Sequence, residues 1–171
     1  MKNVLANIFG KFSKSQPEVA TAVAVTIPDG ELRLNLGVKP GHKVCLFHAP
    51  KYLLPLFLKG DLKLTLDWVE SDSDVILYWL QFQDDVIDIM VNLERMIKRN
   101  GRIWLIVPEV AAGQHGFTGN WEDARRGVLE ATSLVDNKVI FLSRGERGTQ
   151  FMSRKAAREE AAMENAAEPR E

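Results

Sequence analysis

The chain has 171 residues, 46% of them hydrophobic, which suits one domain with a sizeable core. Lys and Arg number 22 against 23 Asp and Glu, a net charge of −1, so no global field draws the protein onto nucleic acid or an acidic membrane, and no nucleic-acid partner is expected. The single cysteine, Cys45, excludes an internal disulfide framework and falls in an apolar run, so a reducing, cytoplasmic setting and an inert core thiol are expected.

The chain begins "MKNVLANIFGKF", where Val4, Leu5, Ile8, Phe9 and Phe12 follow helical spacing with Lys2, Lys11 and Lys14 around them. Asn3 and Asn7 interrupt any signal-peptide core, and no apolar run in the chain approaches the ~18 residues of a spanning helix. An arm over residues 1–30 is expected, its short amphipathic helix docking through that stripe on the protein's own core or on a partner.

From residue 31 the hydrophobic period alternates between strand and helix. "KVCLFHA" (43–49) reads as a strand buried on both faces, and "KYLLPLFL" as a short helix or turn broken by Pro55. In "LKLTLDWV" (62–69) Leu62, Leu64, Leu66 and Trp68 alternate strictly, which predicts a strand toward an edge, and "DVILYWLQF" (74–82) is doubly buried. "QDDVIDIMVNLERMIKRNG" carries a stripe of Val86, Ile89, Met90, Leu93, Met96 and Ile97. Asp84 and Asp85 precede the stripe, Lys98 and Arg99 close it, and Gly101 follows as a cap, so a helix running to Asn100 is predicted.

"RIWLIVPE" (102–109) completes a strand–helix–strand unit, which crosses over right-handedly into a parallel sheet. "AAGQHGFTG" is a loop, Asn120 the N-cap of the following helix, and "WEDARRGVLEAT" that helix. "SLVDNKVIFL" and "TQFMSRK" flank the short turn "SRGERG", which implies an antiparallel hairpin. The expected fold is α/β, a three-layer Rossmann-like domain over 31–155 with a mostly parallel sheet and a C-terminal antiparallel hairpin. Residues 156–171 form an Ala/Glu-rich polar tail that has helix propensity but, with only Met163 as a large apolar residue, little to bury, and it is expected to fray or extend into solvent.

The phrases "LGVKPGHKV", "DVILYWL", "NGRIWLIVP" and "LVDNKVIFL" carry a resemblance, from about Leu34 to Lys155, to a small bacterial family catalogued as domain of unknown function 3052. Its members resemble S-adenosylmethionine-dependent methyltransferases in strand order but lack the glycine-rich cofactor loop. The resemblance implies the fold and no particular activity. One position departs from the pattern: a basic residue is expected after the proline of "IVP", and Glu109 stands there.

In open α/β sheets ligands sit beyond the carboxyl ends of the strands, here the loops after Phe47, Trp68, Leu80 and Val107. A glycine-rich loop lets backbone amides approach a ligand. After the first strand this chain has His48, Ala49, Pro50 and Lys51, and Pro50 has no amide to donate. No cofactor is therefore expected, S-adenosylmethionine included. Asp67 ends the second strand, where an acidic residue would hold a ribose. The second glycine cluster, "GQHGFTGN", offers Gln114, His115 and Gly116 ahead of a helix N-terminus. His48 and His115 are candidates for acid, base or ligand roles, but two histidines without a third ligand make no metal site. The candidate ligand-binding residues are thus His48, Lys51, Asp67, Glu109, Gln114, His115 and Gly116. The expected function is a non-catalytic module binding a small ligand or a protein partner at this edge. The alternative is a divergent methyltransferase-like transferase using His48, His115, Asp67 or Glu109 in the same crevice.

Overall fold

Alternation of apolar residues decides where each strand sits. The computed structural model of the protein describes residues 29–107 and 121–167. Strands β1 (Lys43–Phe47) and β3 (Ser73–Trp79) are buried on both faces over most of their length, β4 (Ile97–Val107) is so from Ile103 to Ile106, and the three form the parallel centre. β2 (Lys63–Leu66), whose residues are half-buried or exposed, is the edge beside β1. β5 (Leu134–Phe141) and β6 (Arg147–Ser153) form a hairpin, with β6 antiparallel to both β4 and β5. The order is β2-β1-β3-β4-β6-β5, the mostly parallel sheet with a returning hairpin that the sequence predicts.

Two apolar layers cover the sheet. On one face the short helices α1 (Leu32–Asn35) and α2 (Leu54–Leu58) bring Leu32, Leu36 and Phe57 onto Val44, Leu77, Trp104 and Ile106. Trp104 Nε1 also donates to the carbonyl of Leu36 at 3.0 Å, a buried bond that locks the end of α1 to the sheet. On the other face α3 (Val86–Glu94) and α4 (Trp121–Ala131) pack Met90, Leu93 and Val128 on Ile76, Ile103 and Phe151. The free thiol of Cys45 is buried in this second layer, beside the hydroxyls of Ser73 and Thr65 at 3.2 and 3.0 Å.

Two local expectations are corrected. The helix that starts at the N-cap Asp85 ends at Glu94 rather than Asn100, because Ile97 already pairs with Ser73 as the first residue of β4. Gly101 is not a helix cap. A Cβ there would lie 2.9 Å from the Ser73 carbonyl oxygen, so glycine permits the close approach of β3 and β4 across a register shift. The second correction concerns the C-terminal segment, which forms helix α5 (Arg154–Ala167) against β5 and β6. Ala156 is buried, and Glu160 reaches Arg102 at 3.5 Å, so one small residue and one ion pair seat a helix that its Ala/Glu composition already favours. The expected amphipathic arm and the N-cap Asn120 lie outside the described residues. Among the described residues no helix is long and apolar enough to cross a membrane.

Candidate functional site at the carboxyl edge of the sheet

The parallel strands β1 and β2 end side by side, and the residue after each takes a left-handed backbone: φ is +54° at His48 and +52° at Asp67. Such angles are uncommon for residues with a Cβ and persist where surroundings hold them. Here the two hold each other. The His48 amide donates to Asp67 Oδ1 at 2.8 Å, the Asp67 amide donates to the Leu46 carbonyl at 2.8 Å, and the His48 imidazole Nδ1 stands 3.8 Å from the same carboxylate oxygen. Thr65 Oγ1 donates to the Trp68 carbonyl and fixes the next turn.

β3, on the other side of β1, supplies the neighbouring aromatic contacts. Tyr78 stacks on Phe47 with ring centroids 5.3 Å apart and meets the His48 ring edge-on at 5.4 Å. Burial, reinforced by the neighbouring Asp84 and Asp67 carboxylates, pushes the Tyr78 hydroxyl up to about 12, so it remains a neutral donor across the physiological range. Asp84 in turn accepts the Gln81 amide at 2.7 Å and shapes the loop after β3. Two large aromatic residues flank the cluster in solvent: Trp68, 68% exposed, after β2, and Phe82, 52% exposed, after β3. The edge therefore presents an exposed carboxylate, an imidazole, a neutral phenol and two flat apolar surfaces. Such a set can bind an aromatic ring bearing hydroxyl or amine donors.

Of the residues expected at this edge from sequence, His48 and Asp67 are brought together, and Lys51 is exposed in the turn that follows His48. Glu109, Gln114, His115 and Gly116 lie outside the described residues. Sequence reasoning missed Tyr78, Trp68, Phe82 and Asp84 as site residues. Tyr78 and Trp68 read as sheet-packing positions, and only the strand ends, known from the register, place them at the rim. Among the described residues no group of three or more His, Cys, Asp and Glu is placed to hold a metal ion.

No family model matches the chain, and no curated protein does. Solved structures do. The pyocyanin biosynthetic protein PhzM is similar at a TM-score of 0.52 and 12% identity, over 72% of this chain and 53% of that one. CalO1, a methyltransferase of calicheamicin biosynthesis in its SAH-bound form, is similar at 0.48 and 12% identity over 73% and 53%. Fibrillarin from Aeropyrum pernix, with natively bound S-adenosyl-L-methionine, is similar at 0.45 and 11% identity over 72% and 73%. The chain spans about half the length of PhzM and CalO1. The fold is that of a methyltransferase-like Rossmann domain.

The expectation that the chain takes no cofactor is corrected by the fold it shares with PhzM, an open α/β sheet whose carboxyl edge is a ligand-binding position.

Proposed function

We propose that the protein is a ligand-binding domain of methyltransferase-like fold whose carboxyl edge holds an adenosyl-type small molecule, with S-adenosylmethionine the first candidate. The observation that carries this reading is the interlocked pair of left-handed residues, His48 and Asp67, at the ends of adjacent parallel strands. Backbone strain that neighbouring groups hold in place concentrates at binding sites, and this pair lies where open α/β sheets bind ligands. The residues present fit the group: the exposed Asp67 carboxylate suits ribose hydroxyls, and the neighbouring exposed Trp68 offers a face for the base. Membership of the domain of unknown function 3052 family and a cytoplasmic location belong to the same proposal, resting on the phrases quoted above and on the buried free thiol of Cys45.

Calorimetric titration with S-adenosylmethionine, its demethylated product and adenosine tests the reading. Saturable binding is expected, lost or weakened at least about tenfold in Asp67→Ala, the scale of one hydrogen bond to a charged group. No heat with any of the three overturns it. A second reading, a divergent transferase, is favoured by the imidazole of His48 standing beside Asp67 at the ligand-binding edge, where it could take a proton from a methyl acceptor. That reading requires methyl transfer that falls in His48→Gln while cofactor binding persists.

A further inference from the structure

A cavity of about 300 Å3 lies between α1 and α5, on the sheet face that carries Trp104. It is toward the amino edge of the parallel strands: Arg102 precedes the end of β4 at Val107 by a rise of roughly 16 Å at the usual strand spacing. It is therefore distinct from the carboxyl-edge site.

Strand register sets the floor. Gln150 of β6 pairs with Lys138 of β5 and with Trp104 of β4, and Arg102 pairs with Met152 one pleat away. Residues two apart on a strand share a face, so Lys138, Gln150 and Arg102 enter one layer. The pairing of β5 and β6 jumps from Asp136 to Lys138, and the side chain of the extra residue, Asn137, donates to Gln150 Oε1 at 3.1 Å. Gln150 is only 1% exposed. With its oxygen so held, the side-chain amide is fixed on the floor of the cavity.

The wall opposite is α5. Glu160 Oε1 stands 3.5 Å from Arg102 Nη1, while its Oε2 is buried without a hydrogen-bond partner among the described residues. A buried acceptor without a partner beside a polar cavity is costly unless a donor reaches it. Lys39 and Lys138 line the same space, and among the described residues neither pairs with a carboxylate. Leu34 and Met163, 81% and 68% exposed, flank it with apolar surface.

We propose that this slot binds an α-amino acid with an apolar side chain. The carboxylate meets Lys138 and the Gln150 amide, the ammonium meets Glu160, and the side chain lies against Leu34 and Met163. A phosphate ester suits the slot less well, because the carboxylates of Glu159 and Glu160 face the same volume.

The test is calorimetry and thermal unfolding of the 171-residue chain with L-leucine, isocaproate, which lacks the ammonium, and isoamylamine, which lacks the carboxylate. Leucine is expected to bind and raise Tm, with each half-molecule at least about tenfold weaker, the scale of one charged hydrogen bond. Lys138→Ala should weaken leucine and isocaproate by a similar factor and leave isoamylamine unchanged. Glu160→Gln should weaken leucine and isoamylamine. If Glu160→Gln fails to fold for want of a partner for Arg102, the exposed Lys138 decides alone. No heat and no Tm shift with leucine overturns the proposal, as does leucine binding that survives Lys138→Ala intact. Leucine binding abolished by Asp67→Ala would place the ligand at the carboxyl edge and overturn it as well. Failure of adenosyl binding with leucine binding intact would refute only the carboxyl-edge reading.

Discussion

His48 gives up backbone comfort for position. A left-handed conformation costs an L-residue about 1–2 kcal/mol relative to what glycine experiences there. His48→Gly and His48→Ala both delete the imidazole and its edge contact with Tyr78, so the difference between them isolates the backbone term. The glycine variant is expected to be the more stable by about 1 kcal/mol, read as the gap between two urea unfolding curves. Equal stabilities would mean that the turn relaxes once the ring is gone. The chemistry of His48 and Asp67 was legible as residue types at strand ends. Their bond to one another was not, because it joins residues 48 and 67 across two strands whose register no local pattern specifies.

At the scale of elements, one carboxylate ties three strand starts together. Asp74, entering β3, accepts the Lys43 amide of β1 at 2.8 Å and the Lys98 ammonium of β4 at 2.7 Å. Burial alone would raise its carboxyl, but the bonds from Lys98 and Lys43 and the charges of Lys98 and His42 outweigh that and hold it below the ordinary 3.8. The unfolded chain therefore takes up this proton first as pH falls. The stability Asp74 contributes is present above the ordinary carboxylate value and lost as pH drops through its folded value. His42 acts in the same direction at higher pH. Its imidazole is lowered, by burial first, with Asp74 opposing and nearby cations assisting, so protonation below its ordinary 6.5 favours the unfolded chain. Asp74→Asn is expected to lower Tm at neutral pH, and the gap to the parent protein should close in strong acid. A gap that stays constant down to pH 2 would show that Asp74 acts through packing rather than charge.

Across the whole molecule, the two faces of the sheet do different work. One face, under α3 and α4, is sealed by apolar contacts, and the other is divided between an apolar layer under α1 and α2 and the polar slot beside α5. The Trp104 indole stands at that division, fully buried, its N–H on Leu36. Trp104→Phe keeps an aromatic ring but leaves the Leu36 carbonyl unsatisfied, and should cost about 1–3 kcal/mol in chemical denaturation, the size of an orphaned buried polar group. A loss under about 0.5 kcal/mol, the level of a surface change, would show that α1 is not held by this bond.

The amino-acid sequence by itself determined the central strands, the edge position of β2, the hairpin and the α/β class, because burial on one or both faces of a strand is written directly into residues one and two apart. It misjudged where α3 ends, since Met96 and Ile97 satisfy a helical stripe and a buried strand equally well, and the pairing of Ile97 with Ser73 settled the matter. It undervalued the C-terminal segment for the same reason. Ala156 and Glu160 have little to bury until β6 and Arg102 are in place beside them. Only the tertiary structure decided the left-handed lock of His48 on Asp67, the jump at Asn137 that orients Gln150, and the cavity between α1 and α5, because each depends on strand register and on contacts between residues far apart in the chain.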